Sequence, residues 1–169
     1  MQHKALFISL GGRMCDAEES EASATSVETA FGAYRAQYPA RPANLAVVLH
    51  ESELRLLTSA EGVSEFSMAP AQGPLVGTPP SEQSVEGTNR HLWVVREANL
   101  PYILEEPKPG VNLPRICHTN LTGGADAHCG GELWFFDDSS IIINGASGRY
   151  PPRDAKEIER IAEDYRASG

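Results

Sequence analysis

The chain has 169 residues, with 14 basic and 23 acidic side chains that give it a formal charge of -9 at pH 7. A surface of that sign repels nucleic-acid phosphates and anionic lipids, so the composition argues against general nucleic-acid binding and against membrane binding. The apolar fraction of 41% is ordinary for a folded protein. At this length we expect residues 1–169 to form a single domain.

The N-terminal segment carries a short apolar run from Ala5 to Leu10. The run is shorter than the core of a signal peptide, and no small-residue cleavage site follows it, so it predicts a first β-strand. No segment approaches the about 18 apolar residues that a membrane-spanning helix requires. The three cysteines do not have the spacing of a disulfide framework. We therefore expect a cytoplasmic protein with reduced thiols.

The first segment with a clear helical pattern is 26–37. Its start carries a capping-box sequence, Thr25-Ser26-Val27-Glu28, whose hydroxyl and carboxylate can satisfy free backbone amides. Pro39 and Pro42 end the helix. Apolar side chains recur on one helical face: Val27, Ala30, Phe31, Tyr34 and Tyr38.

Strand patterns fill most of the chain up to residue 119. We predict strands at about 4–10, 44–50, 53–59, 63–68, 92–96, 102–105 and 115–119. Residues 70–90 interrupt them with many prolines and glycines, and a loop of that length is usually functional or mobile. A linker between subdomains and a flexible flap are both open, and we favour the flap because neither flanking half has a self-sufficient pattern.

The clearest hairpin comprises Glu132–Asp137 and Ser140–Asn144. Its strands are apolar on both faces, which is typical of central strands. A second helix begins at another capping-box sequence, at Asp154. Its apolar face consists of Ile158, Ile161, Ala162 and Tyr165. Together these patterns predict an α+β fold, with a mixed or mainly antiparallel sheet of about six to eight strands and two amphipathic helices packed on it.

The stretch 115–153 concentrates the unusual side chains. Metal binding is one interpretation, because Cys117, His118, His128 and Cys129 offer four ligands. Zinc ligands are usually about two to four residues apart, whereas these pairs are adjacent and would point to opposite faces of a strand. A buried thiol and a hydrogen-bonded histidine is the stronger interpretation, so we predict neither a metal nor another cofactor.

Catalysis is a second interpretation of the same stretch. Cys129 could act as a nucleophile with His118 as its base, but no local signature supports that pair. For a catalyst without a nucleophilic cysteine, we predict His118 as the acid or base and Glu132 as its orienting carboxylate. The reaction would then be hydrolysis or transfer on a nucleotide-like substrate.

Anion binding is better motivated. The loops 120–124 and 144–149 combine glycine with hydroxyl and amide groups, a composition that lets backbone amides form a concave nest. Arginines and the positive end of the second helix could add charge. Neither loop has a Walker or dinucleotide sequence, and tight turns use the same residues. The predicted ligand-binding residues are Arg115, Asn120, Thr122, Gly123, Gly124, Asn144, Ser147, Arg149 and Arg153.

Three functions follow from these observations. The first, which we favour, is a small binding protein that recognises a protein partner or a small anionic ligand through residues 115–153. The second is a histidine-dependent hydrolase or transferase. The third is an acidic inhibitor or immunity-type protein that neutralises a basic partner through its negative charge. Small size, acidity and the lack of a catalytic motif favour binding.

Overall fold

The computed structural model describes residues 5–9, 27–46, 48, 50–66, 89–137 and 140–168. Two α-helices are present in these ranges, α1 (Val27–Gln37) and α2 (Ala155–Ser168). Three 3₁₀ helices occupy Glu51–Leu54, Ser59–Glu61 and His118–Leu121. The strands are β1 (Leu6–Ser9), β2 (Ser64–Glu65), β3 (His91–Val95), β4 (Pro101–Leu104), β5 (Cys129–Asp137) and β6 (Ser140–Asn144).

The strands form one sheet of six strands in the order β1-β6-β5-β3-β4-β2, and every neighbouring pair is antiparallel. The predicted α+β class, with a mainly antiparallel sheet and two helices, is therefore confirmed. The predicted hairpin is β5–β6, and each of its strands has a neighbour on both sides. That placement explains why both strands are apolar on two faces.

The first face of the sheet packs against the two helices. Trp93, Val95 and Tyr102 point from β3 and β4 into this core. Phe31 and Tyr34 of α1 enter it from one side, and α2 adds Ile158, Ile161, Ala162 and Tyr165. Helical periodicity alone predicted these helix residues, because burial of a single apolar stripe fixes a helix on a sheet.

The second face of the sheet is covered mainly by irregular chain. Leu92, Val94 and Ile103 alternate with the residues of the first core and point to the opposite side, as the two-residue period of a strand requires. Leu57, from the segment after the first 3₁₀ helix, and Leu121, from the third, pack on them. The candidate site lies in this layer of loops and 3₁₀ turns.

Several predicted strands are wrong. Segments 44–50 and 53–59 contain no described strand, and the first 3₁₀ helix, Glu51–Leu54, extends into the second of them. Residues 115–119 contain no strand, and the third 3₁₀ helix begins at His118. Of the strand predicted at 63–68, the described residues 63–66 contain β2. Side-chain hydrogen bonds hold these segments in turns: His50 Nδ1 accepts from the backbone amide of Ser52 at 3.1 Å and caps the first turn.

Both predicted helices are present with nearly the expected bounds. Asp154 caps α2, because its Oδ1 accepts a hydrogen bond from the Glu157 amide at 2.9 Å. Within the described ranges, neither α1 nor α2 is long and apolar enough to cross a membrane. Residues 67–88, which hold most of the predicted flap, lie outside the described residues, as do Thr25 and Ser26 of the first capping box.

Candidate functional site

Two of the predicted ligand-binding arginines converge on a single carboxylate in the layer over the second face. Glu53, only 2% exposed, is bound by Arg149 through Oε2 and by Arg115 through Oε1 at 3.2 Å. A second guanidinium nitrogen of Arg149 donates to the carbonyl of Asn44 at 3.0 Å. Arg149 therefore ties the chain at 44 to the 3₁₀ helix at 51–54.

The electrostatics of this cluster favour an internal ion pair. Burial raises the pKa of Glu53, but hydrogen bonds and charge from Arg149 and Arg115 outweigh burial and hold that pKa below its usual value. Burial raises the pKa of the neighbouring Cys117 thiol, and Arg115 offsets the rise only in part. Cys117 is therefore a neutral thiol rather than an activated nucleophile.

Asn120 holds the segment around the first 3₁₀ helix through its side chain. Its side-chain amide donates to the carbonyls of Ser52 and Arg55, both at 2.8 Å, and its Oδ1 accepts from the amide of Cys117 at 2.8 Å. Its backbone carbonyl accepts from Leu57 at 2.9 Å. The side-chain amide is thus occupied in holding residues 52–57 against the third 3₁₀ helix.

The turn 122–124 has the glycine conformation that was expected of an anion nest. Gly123 and Gly124 both have positive φ, +63° and +82°, which favours glycine. The three amides of the turn are already engaged: those of Thr122 and Gly123 donate to the carbonyl of Thr119, and that of Gly124 donates to the Thr122 hydroxyl. An anion would have to displace these hydrogen bonds to bind here.

Exposed apolar side chains are concentrated in residues 45–56, and two of them flank this turn. Five large apolar side chains are exposed in the described residues, and four of them lie between 45 and 56: Leu45 (42%), Val48 (37%), Leu54 (38%) and Leu56 (49%). A Cβ on Gly123 or Gly124 would lie 3.3 Å from Leu56 or Leu54 respectively, so both leucines flank the turn. We call these four side chains, with the turn 122–124, the apolar surface.

The predicted acid–base pair is not joined by a hydrogen bond. His118 is buried, and its Nε2 donates to the carbonyl of Gly131 at 2.9 Å. Burial lowers the pKa of His118 to about 4, so the ring is neutral at pH 7. Glu132 instead pairs with Arg90 at 3.2 Å and accepts from the side-chain amide of Asn144 at 2.9 Å.

The remaining predicted ligand residues lie in different places. Asn144 Oδ1 accepts from the amides of Glu132 and Ala146, and the Ser147 hydroxyl accepts from the amide of Tyr150 at 3.0 Å. Arg153 lies on the helical side of the sheet, 2.6 Å from Glu157 and over the ring of Tyr38. The structure therefore joins Arg115 with Arg149 and separates Arg153 from them.

The four cysteine and histidine residues considered as metal ligands divide between the faces of the sheet. Cys129 lies in the core beneath the helices, and His128 contacts the carbonyl of Tyr38. Cys117 and His118 lie on the second face. Among the described residues, no group of three or more histidine, cysteine or acidic side chains is arranged to hold a metal ion. Cys129 and His118 are likewise separated by the sheet.

Sequence reasoning missed Glu53, Leu54 and Leu56 as site residues. The strand predicted at 53–59 would place Leu54 and Leu56 on one buried face. The useful signal was the pair of acidic residues around Ser52, which favour the first turn of a helix. Comparison of the chain with protein-family models, with curated proteins and with solved structures finds no match.

Proposed function

We propose that this chain is a protein-binding module whose docking site is the apolar surface. The observation that carries the proposal is the concentration of four exposed aliphatic side chains within residues 45–56, two of which, Leu54 and Leu56, lie beside the turn 122–124. Single exposed apolar residues are normal on protein surfaces, whereas grouped ones are typical of protein–protein contacts. The surface includes part of the 115–153 stretch to which binding was assigned from the sequence.

The part of the apolar surface that carries Leu54 and Leu56 is held in place by contacts within the chain. Asn120 binds it through the carbonyls of Ser52 and Arg55, and Arg149 binds it through Glu53. A rigid docking segment loses little conformational entropy on association, which improves affinity. This favours recognition of a folded or extended partner by a prearranged surface.

The polar groups support binding of a protein over binding of a small anion or catalysis. Arg149 and Arg115 both bind Glu53, which neutralises one of their two positive charges, so the cations best placed for an anion already share a carboxylate. His118 is buried and neutral, and its donor is engaged by Gly131. The exposed groups at this site are mainly apolar, and burial of apolar area drives most protein association.

A random peptide library displayed on phage, selected on the wild-type protein, tests the proposal. We expect the enriched peptides to bind the double variant Leu54→Ser/Leu56→Ser at least about tenfold more weakly than the wild type. Phe7→Ser, which removes an exposed apolar side chain from β1, is the matched control and should leave affinity unchanged. Equal binding to the double variant, or failure to enrich any peptide, contradicts the proposal.

A further inference from the structure

We infer that the partner is a basic protein that presents apolar side chains flanked by lysine or arginine; this inference rests on the proposed function. It starts from the cations around the apolar surface. Arg55 pairs with Glu61, and Arg115 and Arg149 share Glu53. Two carboxylates therefore neutralise two of these three positive charges, and one positive charge remains among the arginines.

Two exposed carboxylates near the same surface are not offset in this way. Glu51 lies in the 3₁₀ helix that carries Leu54, and it forms no ion pair with any described residue. Asp126 follows the turn 122–124 and has no ion pair in the described ranges either. Burial raises the pKa of the nearby Tyr150 phenol, the negative charge of Asp126 adds to the rise, and the phenol hydroxyl donates to the carbonyl of Ala125 at 2.7 Å. The four carboxylates named around the rim of this surface outnumber the three arginines by one, so the sum of these charges is negative.

The net charge of the whole chain has the same negative sign as the rim. A formal charge of -9 attracts a basic protein over a distance of about the Debye length and accelerates encounter. Rim charges of opposite sign then orient the partner while the apolar contact supplies most of the affinity. A second copy of this chain carries the same charge and is repelled, so the charge favours a different, basic protein over self-association.

Two synthetic peptides test the inference. They share one apolar sequence and differ only in flanking residues, lysine in one and glutamate in the other. By fluorescence anisotropy, we expect the lysine peptide to bind at least about tenfold more tightly at low salt, and its advantage to shrink as salt rises. The double variant Leu54→Ser/Leu56→Ser should bind both peptides more weakly than the wild type does.

Charge variants locate the effect. The double variant Glu51→Gln/Asp126→Asn should weaken the lysine peptide by roughly two- to tenfold and leave the glutamate peptide unweakened. Glu159→Gln/Glu163→Gln removes the same charge from α2, across the sheet, and serves as the matched control. An equal loss in the control would show that net charge alone attracts the peptide, and would overturn the assignment to the rim.

The outcomes separate the two proposals. If the glutamate peptide binds as tightly as the lysine peptide and both need Leu54 and Leu56, the basic partner is wrong and the docking surface stands. If neither peptide depends on the two leucines, both proposals fail. Concentration-dependent dimerisation in sedimentation, lost in Leu54→Ser/Leu56→Ser, would identify a second copy of the chain as the occupant and overturn the inference.

Discussion

Glu53 and Arg149 lie 96 positions apart in the chain and form an ion pair that is largely withdrawn from solvent. Their side chains are 3% and 12% exposed. A carboxylate taken out of water is costly unless a partner of opposite charge compensates it. The position of Glu53, and with it the 3₁₀ helix at 51–54, therefore depends on the side chain of Arg149.

Loss of the Arg149 guanidinium should destabilise the fold. Arg149→Met leaves Glu53 buried with only the more exposed Arg115, and we expect the free energy of unfolding in urea to fall by about 3 kcal/mol. Arg55→Met is the matched control, since it breaks the solvent-exposed pair with Glu61 and should cost at most about 1 kcal/mol. Equal losses in the two variants would contradict a structural role for the buried pair.

Acid should weaken the same interaction. The folded-state pKa of Glu53 lies below its usual value of 4.5, so the unfolded chain takes up this proton first as the pH falls. Its contribution is complete above about pH 5 and is lost as the pH drops through the folded-state pKa. Unfolding free energies of Glu53→Gln, measured across this range, should be lower than wild type at pH 7 and converge with it in acid.

The side chain of Asn120 also holds the segment that carries Leu54 and Leu56. Asn120→Ala leaves the carbonyls of Ser52 and Arg55 and the amide of Cys117 without their partner, and we expect a loss of about 3 kcal/mol. Asn99→Ala, which removes an exposed bond to Glu65, should cost less than about 1 kcal/mol. Hydrogen exchange should report faster exchange at Cys117 in the first variant, and unchanged exchange there would count against the assignment.

The helices and the central hairpin could be predicted because their signals are local. The apolar period of α2 and the cap at Asp154 are present within one segment of sequence, and the two-sided apolar character of β5 and β6 is present within another. The turns at 51–54 and 118–121 depend on Glu53 with Arg149 and on Asn120 with Ser52, pairs far apart in the chain. No local pattern specifies such contacts, so the strand patterns at 53–59 and 115–119 extend into residues that the structure holds in 3₁₀ helices.

The candidate site illustrates the same limit. Arg115 and Arg149 were singled out for their charge, and the structure brings them together on Glu53, a residue that composition gave no reason to choose. Binding of an anion by these residues stays a prediction. The apolar surface could not be predicted either, because a strand pattern places Leu54 and Leu56 inside and only the tertiary contacts leave them exposed.

Gly131 is required by close packing. A Cβ at this position would lie 1.9 Å from the carbonyl oxygen of Asn144 and 2.9 Å from the Trp93 ring, so β5 would have to move away from β6. We expect Gly131→Ala to lower the free energy of unfolding by about 3 kcal/mol or more. Gly148→Ala is the control, because its Cβ would enter open space; thermal unfolding should be unchanged or slightly more stable. Similar losses in both would contradict this account.

The contribution of Asp164 on α2 to stability should depend on pH in the opposite direction to that of Glu53. It is buried, it pairs with Arg160 at 3.0 Å through Oδ1, and its Oδ2 has no hydrogen-bond partner among the described residues. Burial, only partly offset by Arg160, raises the pKa of Asp164 from 3.8 to about 6. Because the folded state holds this proton more tightly than the unfolded state, the contribution of Asp164 to stability is greatest below about pH 4 and falls as the pH rises towards 6.

Replacement of Asp164 by a neutral isostere tests that sign. Asp164→Asn keeps the shape and an acceptor for Arg160, so we expect the free energy of unfolding at about pH 7.5 to rise by roughly 2 kcal/mol. At about pH 3.5 the carboxyl is protonated in the folded state, and the difference should vanish. Glu163→Gln, an exposed neighbour that also faces Arg160, should change stability by less than about 0.5 kcal/mol at either pH. Destabilisation of Asp164→Asn at the higher pH would mean that the pair with Arg160 outweighs the burial of the carboxylate.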